Sequence, residues 1–128
     1  MTSEKTKFKI EFVLNTQSTT VLWNLISSAH GLEQWFADKV TNDKDIFHFQ
    51  WNGSAQNAKV AFVQKHLAIR FKWENEPKNT FFEFKIIQDE VTRMVSLIIT
   101  DFAEADEMED SQRLWEKQIK VLKQHAGM

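Results

Sequence analysis

The tetrapeptide Trp51-Asn52-Gly53-Ser54 constrains this 128-residue chain more than any other feature. Asn-Gly accepts the two positive φ angles of a type I′ turn, so it fixes a two-residue hairpin loop and the register of both arms. Trp51 then faces Ser54, Phe49 faces Gln56 and Phe47 faces Ala58. Cross-strand partners share a face, and strict alternation carries that face through Val60 and Phe62. A turn at His66-Leu67 sets Phe62 against Phe71 and Val60 against Trp73. A loop over 75–78 sets Phe71 against Phe82 and Ile69 against Phe84, and a loop over 88–91 sets Phe84 against Val95 and Phe82 against Leu97. These loop lengths are the ones that keep the aromatics together. The pattern predicts an antiparallel meander with one face of Phe47, Phe49, Trp51, Val60, Phe62, Ile69, Phe71, Trp73, Phe82, Phe84, Val95, Leu97 and Ile99. Lys59, Lys65, Arg70, Lys72, Glu74, Glu83 and Lys85 fall on the opposite, wet face.

Helices flank this meander. Residues 7–15 alternate Phe8, Ile10, Phe12 and Leu14 with Lys7, Lys9 and Glu11, the pattern of a half-buried strand. Ser18 stands as an N-cap ahead of the helical stripe Val21, Leu22, Trp23, Leu25 and Ile26. His30-Gly31 is expected to end that helix, and a second short one to carry Leu32, Trp35 and Phe36. A last helix over about 111–125 presents the stripe Leu114, Trp115, Gln118, Ile119 and Leu122, with acids ahead of it and bases along it, as the macrodipole favours. No repeat or low-complexity linker divides the chain, so residues 1–128 read as a single domain.

Composition removes several function classes. Sixteen Lys and Arg against eighteen Asp and Glu give a net charge of −2, which argues against nucleic acid as a partner. The absence of cysteine removes disulfides, thiolate metal sites and a Cys nucleophile. No apolar run approaches the roughly 18 residues that would insert into a membrane. The first residues lack the charged start and apolar run of a secretory signal, so a cytoplasmic location is expected. Eleven Phe and five Trp without a single Tyr predict an interior, packed or ligand-filled, of rings lacking phenol hydroxyls.

The order strand, two short helices, antiparallel meander and long C-terminal helix resembles the helix-grip fold of the START-like, or Bet v 1-like, superfamily. This is an α+β fold in which a curved antiparallel sheet wraps a long C-terminal helix. Residues 16–26 (TQSTTVLWNLI), with Trp23, are similar to the segment after the first strand in the family related to the activator of the Hsp90 ATPase. Residues 32–37 (LEQWFA) resemble that family's second short helix, residues 69–73 (IRFKW) its strand ending in Trp, and residues 115–122 (WEKQIKVL) its final helix. The chain departs from the pattern by lacking a proline near Gln17 and a glycine ahead of Trp115. The resemblance implies an apolar cavity between sheet and helix, of the kind that takes lipids, sterols, polyketides or hormones. A second implication is a chaperone partner, met by surface rather than cavity; an outward patch of Phe81 paired with Ile98, beside Met94 and Ile87, is the candidate. A third is cyclase or hydrolase chemistry, for which Asp101, of inward parity at a strand end, is the first suspect as a base.

The expected ligand is therefore a small hydrophobic molecule. Its walls would be Trp35, Phe49, Trp51, Phe62, Phe71, Phe82, Phe84 and Trp115, with Gln56, Arg93 and Gln118 to orient it. Gln64 and Thr80 share the inward parity, and Arg93, opposite Ile86, would grip a carboxylate. The histidines at 30, 48, 66 and 125 lack metal-ligand spacing, and the acids over 101–110 lack the glycine and alternating oxygens of a calcium loop. No metal or cofactor is expected, and no nucleophile-elbow, phosphate-loop or zinc-protease motif occurs. Asn52-Gly53-Ser54 matches a glycosylation acceptor in form, but the hairpin accounts for it.

Overall fold

The computed structural model describes residues 4–77 and 79–128. Its hairpin at Asn52-Gly53 has the expected register, with Trp51 opposite Ser54, Phe49 opposite Gln56 and Phe47 opposite Ala58. Gly53 takes φ +85° while Asn52 is not among the positive-φ residues, so the turn is not type I′. Loop length, which is as expected, is what sets the pairing.

Among the described residues seven strands form one antiparallel sheet: β1 (Thr6–Leu14), β2 (Lys39–Asp43), β3 (Ile46–Trp51), β4 (Ser54–Gln64), β5 (Ala68–Trp73), β6 (Phe82–Gln88) and β7 (Val95–Ala103), in the order β1-β7-β6-β5-β4-β3-β2. β2 carries no sequence signal, because Val40 is its only buried residue. Helices α1 (Thr19–Ser27) and α2 (Ala29–Glu33) link β1 to β2, and a 3-10 turn, Ala105–Glu107, leads into α3 (Met108–Ala126). This is the expected helix-grip architecture.

Three readings of local structure are corrected. First, the turn between β4 and β5 spans three residues, with Gln64 opposite Ala68 and His66 at φ +70°. That places Phe62 opposite Arg70 on the wet face, 46% exposed, and a β-bulge between Val60 and Phe62 then brings Val60 back against Phe71 and Ala58 against Trp73. Second, β6 meets β7 four places further along than expected, Phe84 facing Ile99 and Gln88 facing Val95. The shift is even, so no side chain changes face, but Arg93 leaves the strand for the connecting loop, where it is exposed at φ +64°. Asp89 organises that loop, its Oδ1 accepting from the N–H groups of Val91 and Thr92 at 2.8 Å each. The pairs Phe71 with Phe82 and Ile69 with Phe84 stand as expected, although Lys78, at the end of the loop between them, lies outside the described residues.

Third, the break between α1 and α2 falls at Ser28, not at His30-Gly31. Ser18 Oγ caps α1 by accepting from Val21 N–H at 3.3 Å, and Ser28 Oγ caps α2 by accepting from Gly31 N–H at 2.9 Å. Gly31 lies inside α2, where a Cβ would stand 2.0 Å from the Asn24 carbonyl oxygen. It is a close-approach glycine between the two helices rather than a helix breaker. On α3, Trp115, Ile119 and Leu122 are buried as expected, whereas Leu114 is 56% exposed, one position outside the stripe.

Candidate functional site

α3 lies across the concave face of the sheet, and the space between them is where a ligand cavity was expected. It is filled by Phe36, from the connection between α2 and β2. The Phe36 ring stacks on Trp115 at 5.7 Å and on Phe82 at 5.6 Å, and meets Phe49 edge-on at 5.1 Å and Phe84 at 6.1 Å. Aromatic pairs favour these separations and tilts. Phe71 extends the cluster, stacking on Phe82 at 5.0 Å. Phe49, Phe71, Phe82 and Phe84 are essentially inaccessible to solvent, and Trp115 nearly so.

The backbone at Phe36 is held as tightly as the ring. Its carbonyl accepts from Trp51 Nε1 at 2.9 Å and from Gln118 Nε2 at 3.1 Å, so one oxygen ties the α2–β2 connection to the end of β3 and to α3. Trp35 packs edge-on against Phe36 at 5.6 Å and against Phe84 at 5.5 Å, and donates its Nε1–H to the Leu25 carbonyl at 2.8 Å. Outside Phe36 a cleft of about 440 Å³ runs between residues 33–38 and α3, bordered by Trp51, Leu114, Lys117, Gln118 and Val121. Leu114 and Val121 stand exposed on its helical wall.

The expected site residues thus divide into three groups. Phe49, Phe71, Phe82, Phe84 and Trp115 form the packed cluster behind Phe36, while Trp35, Trp51 and Gln118 border the cleft. Gln56, Phe62 and Arg93 belong to neither: Gln56 and Phe62 are exposed on β4, and Arg93 is in the β6–β7 loop. Gln64 is exposed as well, and Thr80 is buried with its Oγ1 donating to the Pro77 carbonyl at 2.7 Å. Sequence reasoning put Phe36 with Leu32 and Trp35 on the second short helix and not among the ligand walls; α2 ends at Glu33, so Trp35 and Phe36 stand in the connection after it.

A smaller cleft of about 180 Å³ opens at the far end of the cluster, lined by Trp73, Thr80, Asp101 and the ion pair of Lys5 with Glu76 at 2.7 Å. Asp101 Oδ2 accepts from Trp115 Nε1 at 2.9 Å and Oδ1 accepts from Phe102 N–H at 2.7 Å. Burial raises the Asp101 pKa above its ordinary value, against the weaker opposing pull of those two donors. Asp101 therefore pins α3 to β7, with both carboxylate oxygens engaged.

On the outer face, Phe81 packs edge-on against Phe102 at 5.0 Å and lies 4.1 Å below the Arg70 guanidinium. Ile98 faces Lys85 and so does not form the expected pair with Phe81. His48 Nδ1 lies 2.7 Å from Asn57 Oδ1. Among the described residues Glu104, Asp106 and Glu107 bring carboxylate oxygens within 4.8 Å of one another at the solvent-facing approach to α3.

Comparison with known proteins places this geometry in context. A family model described as a START-like superfamily domain matches residues 2–128. A search of curated protein sequences returns no match. Among solved structures, a Bacteroides fragilis protein determined by solution NMR is 39% identical, with a TM-score of 0.67, 97% of this chain and 93% of that one being covered. The Aha1 dimer from Colwellia psychrerythraea is 16% identical, with a TM-score of 0.77 over 92% of this chain and 93% of that one. A protein of the dynemicin biosynthetic locus is 11% identical, with a TM-score of 0.78 over 95% of this chain and 47% of that one. The last two show a shared fold alone.

Proposed function

Because this chain belongs to the START-like superfamily, whose domains generally bind hydrophobic ligands, we propose that it holds a small hydrophobic molecule at the cleft between α3 and the α2–β2 connection. The observation that carries this reading is the position of Phe36. Its ring fills the space between sheet and helix where a ligand cavity was expected, and its outer side faces the cleft of about 440 Å³. Trp51, Leu114 and Val121 supply apolar contact, and Gln118 supplies an amide close to it. An apolar cleft with a few fixed polar groups is the usual form of a small-molecule site. Swinging Phe36 aside would extend the cleft to Trp115, Phe82, Phe84, Phe49 and Phe71, so that a ligand ring replaces the phenyl in the stack.

The test is native mass spectrometry of freshly purified protein, before and after incubation with a panel of fatty acids, sterols and aromatic polyketides. A stoichiometric apolar passenger is the expected result. Trp51→Ala should then weaken binding by on the order of tenfold, the effect of removing an aromatic anchor, while Phe62→Ala on the outer face leaves it unchanged. A protein free of passengers that takes up nothing from the panel would overturn the reading and move attention to the Phe81, Phe102 and Arg70 surface and to protein partners. Asp101 offers little to the cyclase or hydrolase alternative, since both its oxygens already accept hydrogen bonds.

A further inference from the structure

The two edges of the sheet are unequal. β2 is five residues long and buries Val40 alone. β1 runs for nine residues in unbroken register with β7, and among the described residues no strand lies along its other side. Such an edge carries a row of unpaired N–H and C=O groups, which natural sheets blunt with bulges, prolines or repelling charges. β1 has neither a bulge nor a proline. On its core-facing side Phe8 and Leu14 are buried, but Ile10 and Phe12 between them are only half-buried against the core. On the opposite side stand Lys7, Lys9, Glu11 and Val13, the last 59% exposed.

The charges on this edge match a copy of themselves. With a two-fold axis at Ile10, Lys9 faces Glu11 of the second copy and Glu11 faces its Lys9, giving two opposite-charge pairs on the wet side. The same operation sets Phe8 against Phe12, Ile10 against itself, and the aliphatic stem of Lys7 over Val13. An axis at Lys9 or at Glu11 would instead oppose a like charge to its own copy, and any odd shift of register would set a wet side beside an apolar one. We propose that the free edge of β1 pairs antiparallel with β1 of a second copy of this chain, about a two-fold axis at Ile10. The contact is isologous, so it closes at two copies and consumes both exposed edges at once.

Sedimentation equilibrium across the micromolar range tests the contact. Wild type should dimerise. Lys9→Glu and Glu11→Lys should each weaken the dimer roughly tenfold or more, because one substitution turns two attractive pairs into two repulsive ones. The double variant Lys9→Glu/Glu11→Lys should restore it, since the swapped charges again face their opposites. Both side chains are exposed, so at concentrations low enough for every protein to be monomeric the variants should melt like wild type by circular dichroism. A monomer at every concentration, a dimer indifferent to either single reversal, or single losses that the double variant does not rescue would each overturn the proposal. None of these outcomes bears on ligand binding at the α3 cleft.

Discussion

Asp101 is held with its charge at odds with its surroundings. Burial lifts its pKa above the ordinary 3.8, the largest influence on it, and the Phe102 N–H and the Trp115 indole only partly offset the lift. Between 3.8 and the raised value the folded chain keeps a proton that the unfolded chain has released. Stability therefore falls as pH rises through that interval, and the cost of ionising Asp101 persists above it. Asp101→Asn removes the titration while altering the hydrogen bonds by an amount that does not depend on pH. The expectation is that urea midpoints of wild type decline relative to those of the variant as pH climbs above about 3.8 and then run parallel. Parallel curves throughout would mean that the carboxyl is not perturbed. This residue was legible in the sequence as an inward acid at a strand end; its partner, the Trp115 indole, was not, because that contact joins elements whose separation no periodicity encodes.

At the scale of elements, local chemistry was readable wherever a single loop or stripe decided it. The register of the Asn52-Gly53 hairpin and the burial of Trp115, Ile119 and Leu122 on α3 follow from alternation and spacing, and the pairing of β5 with β6 from the further demand that the aromatics share a face. Where two local signals competed, the sequence misled. His30-Gly31 looks like a helix stop, yet Ser28, whose hydroxyl oxygen can cap α2, takes that role. Phe62 carries the parity of Val60 until a β-bulge intervenes, and bulges leave no mark in an alternating pattern. The glycine misreading leads to a test. If Gly31 were only a breaker, Gly31→Ala would be neutral or slightly stabilising. With the Asn24 carbonyl oxygen 2.0 Å from the new Cβ, α1 and α2 must instead separate, and denaturant unfolding should show a loss of about 1–3 kcal/mol. A variant as stable as wild type would show that the two helices slide apart at no cost.

For the whole molecule, fold and site separate in legibility for one physical reason. The fold follows from which residues face inward, a matter of parity, whereas the site depends on how much room the inward residues leave, a matter of volume. Sixteen Phe and Trp residues forecast an aromatic interior but not that one of them, Phe36, would reach back from a connection to fill it. Phe36→Ala leaves a phenyl-sized void between Trp115 and Phe82, and such truncations of a buried ring cost about 3–5 kcal/mol. A void lined by rings stays dry and accepts a small apolar guest. Saturating the variant with indole or naphthalene at about a hundred times the dissociation constant should recover about 2.7 kcal/mol of that loss. Wild type, with the space already filled, should respond far less. Thermal melts of both proteins, with and without the guest, give the comparison directly. A variant that is destabilised yet gains no more than wild type would show that the cluster collapses once Phe36 is removed, and that its ring is a structural keystone rather than the occupant of a ligand's place.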